Sequence, residues 1–215
     1  QEMNDFVDLG FELSFKYRNP AMILSDGVIG QMMEKVKLSP VKPRWTDEEV
    51  IKLNGSWATT GKTADRPRNI ATSLELDSAR QEQFNHKLQA KYKEIQEKEV
   101  RFEKIACDDA EYLFVAYGSS SRICQKAIDL AREKGIKVGL LRPITLFPYP
   151  TKAIQEMAEK VKGILTVEMS AGQMVEDVRL AVNGKVKVEH FGRFGGMIPS
   201  PNEVVKALED LIIKG

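Results

Sequence analysis

The chain has 215 residues, 42% hydrophobic and 29% charged, with 15 glycines and 9 prolines. That length holds one full domain plus a remnant, or two small domains, and the composition excludes collagen-like and low-complexity chains. Basic and acidic side chains number 32 and 31, so the formal charge of +1 gives no electrostatic footprint for nucleic acid.

No apolar run is long enough to span a bilayer, and the polar start Gln1-Glu2-Met3-Asn4 is no secretory signal. Cys107 and Cys124 lack a CxxC partner, and the two histidines are His86 and His190. Neither set has the spacing of a metal or iron–sulfur site, so no metal ligands are assigned, and a reducing, cytoplasmic setting is expected.

The chain enters a helical pattern at once. Phe6, Leu9, Leu13 and Tyr17 recur near the 3.6-residue period. We read this start as the C-terminal part of a longer polypeptide. Asn19-Pro20 stops the helix, because the residue before proline avoids the α region. Residues 21–24 read as a short buried strand, Ser25-Asp26-Gly27 as a turn, and residues 28–35 as a short helix. Residues 1–40 are thus expected to be the remnant of another α/β domain.

Residues 41–72 read as a long irregular segment. It holds Pro43, Asn54-Gly55, Gly61 and Arg66-Pro67-Arg68, and also both tryptophans, Trp45 and Trp57, which are expected to pack on something. Thr72-Ser73-Leu74-Glu75 and Ser78-Ala79-Arg80-Gln81 fit capping boxes. One long amphipathic helix is expected to follow, with Phe84, Leu88, Tyr92, Ile95, Phe102 and Ile105 as its apolar face.

From residue 106 to 215, strands and helices alternate. Strands are expected at 112–117, 138–141, 163–167 and 186–189, and helices after Gly118, from Thr151 to about Lys160, over 171–182 and over 201–213. This alternation means a parallel sheet covered on both faces, a small doubly wound α/β domain.

Ligands of open parallel sheets bind at the C-terminal strand ends. Three segments fall there. In Gly118-Ser119-Ser120-Ser121-Arg122, hydroxyls, backbone N–H groups and an arginine at a helix start suit an anion, although plain helix capping accounts for the serines. Glu168 follows a buried strand and needs a partner, either a helix N-terminus or a cation such as Arg179. Arg193 lies among glycines and aromatics in Phe191-Gly192-Arg193-Phe194-Gly195-Gly196, a loop suited to a ligand or to a subunit interface. The candidate substrate-binding residues are therefore Ser119, Ser120, Arg122, Glu168 and Arg193. Asp26-Gly27 is not read as the magnesium site of a thiamine enzyme, because Ser25 replaces the first glycine of that motif.

Several stretches resemble the α-type subunit of the 2-oxoacid:ferredoxin oxidoreductases, closest to the branched-chain (2-oxoisovalerate) type, with the 2-oxoglutarate type next. They are Lys16 to Pro20, Ile23 to Gly27, Gly30 to Glu34, Arg66 to Asn69, Val115 to Gly118, Leu141 to Pro148, Glu168 to Met174 and Gly192 to Gly196. The resemblance implies oxidative decarboxylation of a 2-oxoacid with coenzyme A, giving acyl-CoA, carbon dioxide and reduced ferredoxin. It implies thiamine diphosphate with Mg²⁺ held mostly outside this chain, and iron–sulfur clusters on partner domains or chains. It implies a β subunit carrying the diphosphate-binding domain, further γ and ferredoxin-like δ subunits, and a dimer. Residues 1–40 would end the pyrimidine-binding domain, residues 41–105 would be linker and long helix, and residues 106–215 would be similar to the transketolase C-terminal domain. Two other classes stay open on the residues alone: a noncatalytic interaction module, and a nucleotide binder using Gly118 to Arg122. The missing phosphate-loop spacing speaks against the second.

Overall fold

A computed structural model describes residues 1–39, 45–62 and 64–215. Pro40 and Pro43, at the start of the irregular segment, lie outside the described residues. The chain divides into two units. One comprises residues 1–23 and 34–91, the other residues 24–33 and 92–215.

In the first unit, α1 (Glu2–Tyr17) ends in a left-handed Arg18. Helix α3 (Asp47–Asn54) lies inside the segment expected to be irregular. It starts from a capping box: the Thr46 hydroxyl accepts from the Glu49 N–H while Glu49 accepts from the Thr46 N–H. That signature, Thr-Asp-Glu-Glu, was readable in the sequence. Both tryptophans are engaged, Trp45 edge-on to Phe15 at 5.6 Å and Trp57 beneath the Arg18 guanidinium at 5.7 Å. Helix α4 (Ser78–Lys98) is capped by neither expected box. Instead the Asp77 carboxylate accepts from the Arg80 N–H at 2.9 Å.

The short strand expected at 21–24 is absent. Met22 and Leu24 are exposed, and no described strand lies beside them to complete a ladder. The helix expected over 28–35 is the single-turn α2 (Gly27–Gln31), belonging to the second unit.

The second unit is built on a five-stranded sheet of order β1-β3-β2-β4-β5. Strands β2 (Tyr112–Val115), β3 (Val138–Pro143), β4 (Gly163–Glu168) and β5 (Lys187–Gly192) run parallel. Strand β1 (Phe102–Ile105) runs antiparallel along β3. This corrects the expected long helix. It ends at Lys98, and the Arg101 carbonyl then accepts from Ile144 and Thr145, which commits the chain to the sheet edge. The seven-residue spacing from Ile95 to Phe102 mimics a continuing helix face, but Phe102 and Ile105 are strand residues.

Helices cover both faces, as expected. Cys124, Ala127, Ile128 and Ala131 of α5 (Gly118–Glu133) and Val204, Val205 and Leu208 of α8 (Pro201–Leu208) pack with Phe114, Leu140, Leu165 and Val167. On the opposite face, Ile154 and Met157 of α6 (Thr151–Ala158) and Met174 and Val178 of α7 (Met174–Val182) pack with Leu113, Val115, Leu141 and Ile164. Alternate strand residues thus feed opposite layers, as the pleat requires. The last helix, expected to be α-helical over 201–213, changes to a π turn at Glu209–Ile213.

Candidate functional site

In the order β3-β2-β4-β5 the chain winds outward in both directions from β2 and β4. The topological switch point therefore lies between their C-terminal ends, where doubly wound sheets open a crevice. The segments there are Ala116 and Tyr117 with the first residues of α5 after β2, and Met169 to Gln173 after β4.

Neither of these segments offers an open helix N-terminus to a ligand. At the start of α5, Asp26 supplies the anion from within the unit. Its Oδ2 accepts from the Ser119 N–H at 2.9 Å and its Oδ1 from the Ser119 hydroxyl at 2.9 Å. The same carboxylate caps α2 by accepting from the Ile29 N–H at 2.8 Å. Burial works upward on this carboxyl, but the bonds from Ile29, Ser119 and Val28 outweigh it and hold Asp26 below the usual aspartate range. Gly118 makes the approach possible. Its φ is +56°, and a Cβ there would lie 2.8 Å from Asp26 Oδ2. Expected capping by Ser119 to Ser121 is corrected accordingly. No side chain of the loop caps α5, and the Ser121 hydroxyl donates back to the Gly118 carbonyl at 2.7 Å.

At the start of α7 the anion is Glu168, which is buried. Its Oε2 accepts from the Ser170 hydroxyl and from the Gln173 and Met174 N–H groups, and its Oε1 accepts from the Val175 N–H, all at 3.0–3.1 Å. Of the two partners considered for Glu168, the helix N-terminus is the one found, and Arg179 instead points to the Val188 carbonyl. By gathering the N–H groups of residues 173–175, Glu168 delays the helix expected from 171 to Met174. Ser119 and Ser120 are likewise buried, so three of the five candidate residues belong to the frame of the crevice.

The two arginines differ. Arg122 is exposed on the first turn of α5, with one nitrogen 3.5 Å from Met32 Sδ. Arg193 follows β5, which runs three residues further than expected so that Gly192 pairs with Glu168. Its Nη1 donates to Glu203 Oε1 at 2.7 Å. Glu203 Oε2 in turn accepts from the Ser200 N–H and hydroxyl in the capping box of α8. One guanidinium nitrogen is thus anchored to a helix start.

Three residues of this edge escaped the sequence reading. Burial, then the charges of Glu168 and Asp26, push the Tyr117 phenol up, which keeps it a proton donor. Burial, then Asp177, Glu168 and Tyr117, do the same to Tyr149, whose hydroxyl has no hydrogen-bond partner. His190 lies with Nε2 buried and unpartnered, 3.8 Å from Glu168 Oε1. Their signal was positional: each is a polar side chain where a strand or its loop leaves the apolar core.

Among the described residues no group of three or more His, Cys, Asp or Glu could hold a metal ion. Cys124 is buried in the core, where burial pushes its thiol up, and Cys107 bonds to the Ile105 and Leu140 carbonyls. Among the described residues the two cysteines therefore do not fit an iron–sulfur cluster. No helix of the described residues is long and apolar enough to cross a membrane.

Residues 110–204 match pyruvate:ferredoxin oxidoreductase core domain II. The chain is similar over nearly its whole length to subunits of ketoisovalerate oxidoreductase and 2-oxoglutarate synthase. It is 44% identical over 98% of its length to the ketoisovalerate oxidoreductase subunit VorB of Methanothermobacter marburgensis. It is 30% identical over 93% of its length to the 2-oxoglutarate synthase subunit KorA of Archaeoglobus fulgidus. The chain spans 58% and 55% of those two relatives. Among solved structures, the 2-oxoglutarate:ferredoxin oxidoreductase of Magnetococcus marinus matches 69% of this chain and 27% of its own, with a TM-score of 0.60 at 19% identity. At that identity the likeness concerns the fold.

Proposed function

We propose that this chain is part of a subunit of a thiamine diphosphate-dependent 2-oxoacid:ferredoxin oxidoreductase of the branched-chain type, working in the cytoplasm. Its complex converts a 2-oxoacid such as 2-oxoisovalerate and coenzyme A to acyl-CoA and carbon dioxide and reduces ferredoxin. The observation that carries this reading is the 44% identity with a ketoisovalerate oxidoreductase subunit along 98% of the chain, against 30% with a 2-oxoglutarate synthase subunit. Thiamine diphosphate with Mg²⁺ and the iron–sulfur clusters belong to other parts of the assembly, which supply electron-accepting carbanion chemistry and electron transfer. A β subunit, γ and δ subunits, and a second copy of the chain are its proposed partners.

Within that assembly, residues 106–215 serve subunit contact and one wall of the substrate or coenzyme A channel. Ser119, Ser120 and Glu168 shape the wall, and Arg122 and Arg193 face the anionic ligand. Arg193 is suited to this, because Glu203 fixes one nitrogen while the planar fork keeps further N–H donors for a carboxylate or phosphate.

The test is co-expression of the complete subunit with its partner subunits, followed by coenzyme A-dependent dye or ferredoxin reduction. Turnover with 2-oxoisovalerate well above that with 2-oxoglutarate is expected. An assembled, cofactor-loaded complex inactive with every 2-oxoacid, yet still binding its partner chains, would favour the noncatalytic interaction module instead.

A further inference from the structure

His190 sits on β5 with its imidazole in a slot between two glycines. A Cβ on Gly192 would lie 2.6 Å from His190 Cε1 and 2.8 Å from Nε2, and a Cβ on Gly172 would lie 3.7 Å from Cδ2 and Cε1 of the same ring. Gly192 is further confined by the Ser170 carbonyl, 2.2 Å from such a Cβ. No larger residue fits at Gly192 without moving the ring or the loop, and Gly172, at φ +108°, holds a backbone conformation that side chains rarely adopt. The slot aims Nε2 at Glu168, 3.8 Å from Oε1. Nε2 is buried and unpartnered, and a buried donor or acceptor left unmade is costly.

Glu168 has room for one more donor. Its Oε2 already accepts three hydrogen bonds, and its Oε1 accepts one, from Val175. An ionised carboxylate offers about four lone-pair sites shared between its two oxygens. The spare capacity lies on Oε1, the oxygen that faces His190.

We infer that His190 carries its proton on Nε2 and donates it to Glu168 Oε1, closing the 3.8 Å separation to a hydrogen bond. His190 is then a positioning residue. It fixes the carboxylate that gathers the N–H groups of residues 173–175, and through it the loop from Met169 to Gln173. That this loop faces a ligand rests on the function proposed above, whereas the hydrogen bond rests on the geometry alone.

The experiment reads the bond without any activity measurement. Long-range ¹H–¹⁵N spectra of the full chain at about pH 8, where an ordinary imidazole is neutral, report the tautomer of each histidine. There are two histidines, and His86→Gln assigns the signals. An Nε2–H tautomer for His190 is expected, and an Nδ1–H tautomer overturns the inference. In native-state amide exchange, His190→Ala is expected to speed exchange at Gln173, Met174 and Val175 about tenfold or more, with Leu113 and Phe114 in β2 unchanged. His190→Gln retains an N–H donor near the Nε2 position and is expected to restore protection. Unchanged exchange in His190→Ala, or no recovery in His190→Gln, overturns the proposal. If His190→Ala fails to fold, the wild-type tautomer decides alone.

Discussion

At the scale of single residues, the informative groups are two carboxylates that the chain turns inward on its own helix starts. Asp26 holds Ser119 through both its oxygens, and its carboxyl is held below the ordinary range. A depressed folded-state value stabilises the fold above the unfolded value, and the stabilisation fades as pH falls through the folded one. Asp26→Asn should therefore lose stability at neutral pH, because the amide offers one acceptor where two are used. The difference from wild type should shrink steadily below about pH 4. Urea titrations of both chains across that range measure it, and a gap independent of pH would contradict the assignment. Glu168→Gln places an N–H₂ group against donors at the start of α7 and removes a charge from a helix N-terminus. It should cost about 2–3 kcal/mol in the same titrations. The sequence pointed to Glu168 as a residue needing a partner and named the helix N-terminus as one choice. It could not pair Asp26 with Ser119, because 93 residues separate them and no periodicity records a contact of that span.

At the scale of elements, the parallel strands and covering helices were legible because buried strands read as apolar runs and amphipathic helices as 3.6-residue repeats. Boundaries failed where a distant group intervened. Glu168 shortens α7, and the edge of β3 takes Phe102–Ile105 from the helix pattern. The exposed segment 21–24 failed for the opposite reason: apolar composition predicts a strand only where a neighbour completes the ladder. Helix α8 tests how capping and the candidate arginine are joined. Ser200→Ala removes the acceptor for the Glu203 N–H and should cost about 1 kcal/mol by thermal or chemical denaturation. Arg193→Lys keeps a charge beside Glu203 but loses the fork. In the assembled complex it should lower turnover about tenfold or more while assembly survives. Loss of assembly with normal turnover of the remainder would instead make this loop an interface.

At the scale of the whole molecule, stability is unevenly shared. Among the described residues of the first unit only Tyr17 is buried, and Met22 and Leu76 are 81% and 86% exposed. The second unit holds fully buried Leu113, Phe114, Leu140, Ile154 and Leu165. Amide exchange over the full chain should be slowest in β2 and β4 and faster throughout α1 and α3. Phe114→Ala should cost about 3–5 kcal/mol and abolish the slowest class. Equal protection of α1 and β2 would refute this division.

The antiparallel β1 has a consequence for how copies of this chain behave when crowded. It and β5 are the outermost strands, and an outer strand is a template on which another chain can polymerise. Strand β1 is four residues long and alternates its register with Glu103, paired to Arg142, and Lys104, paired to Glu156. Strand β5 likewise carries Lys187 and Glu189. Both ribbons are guarded by charge that a β-zipper would have to bury. Edge-to-edge fibre growth is thereby opposed.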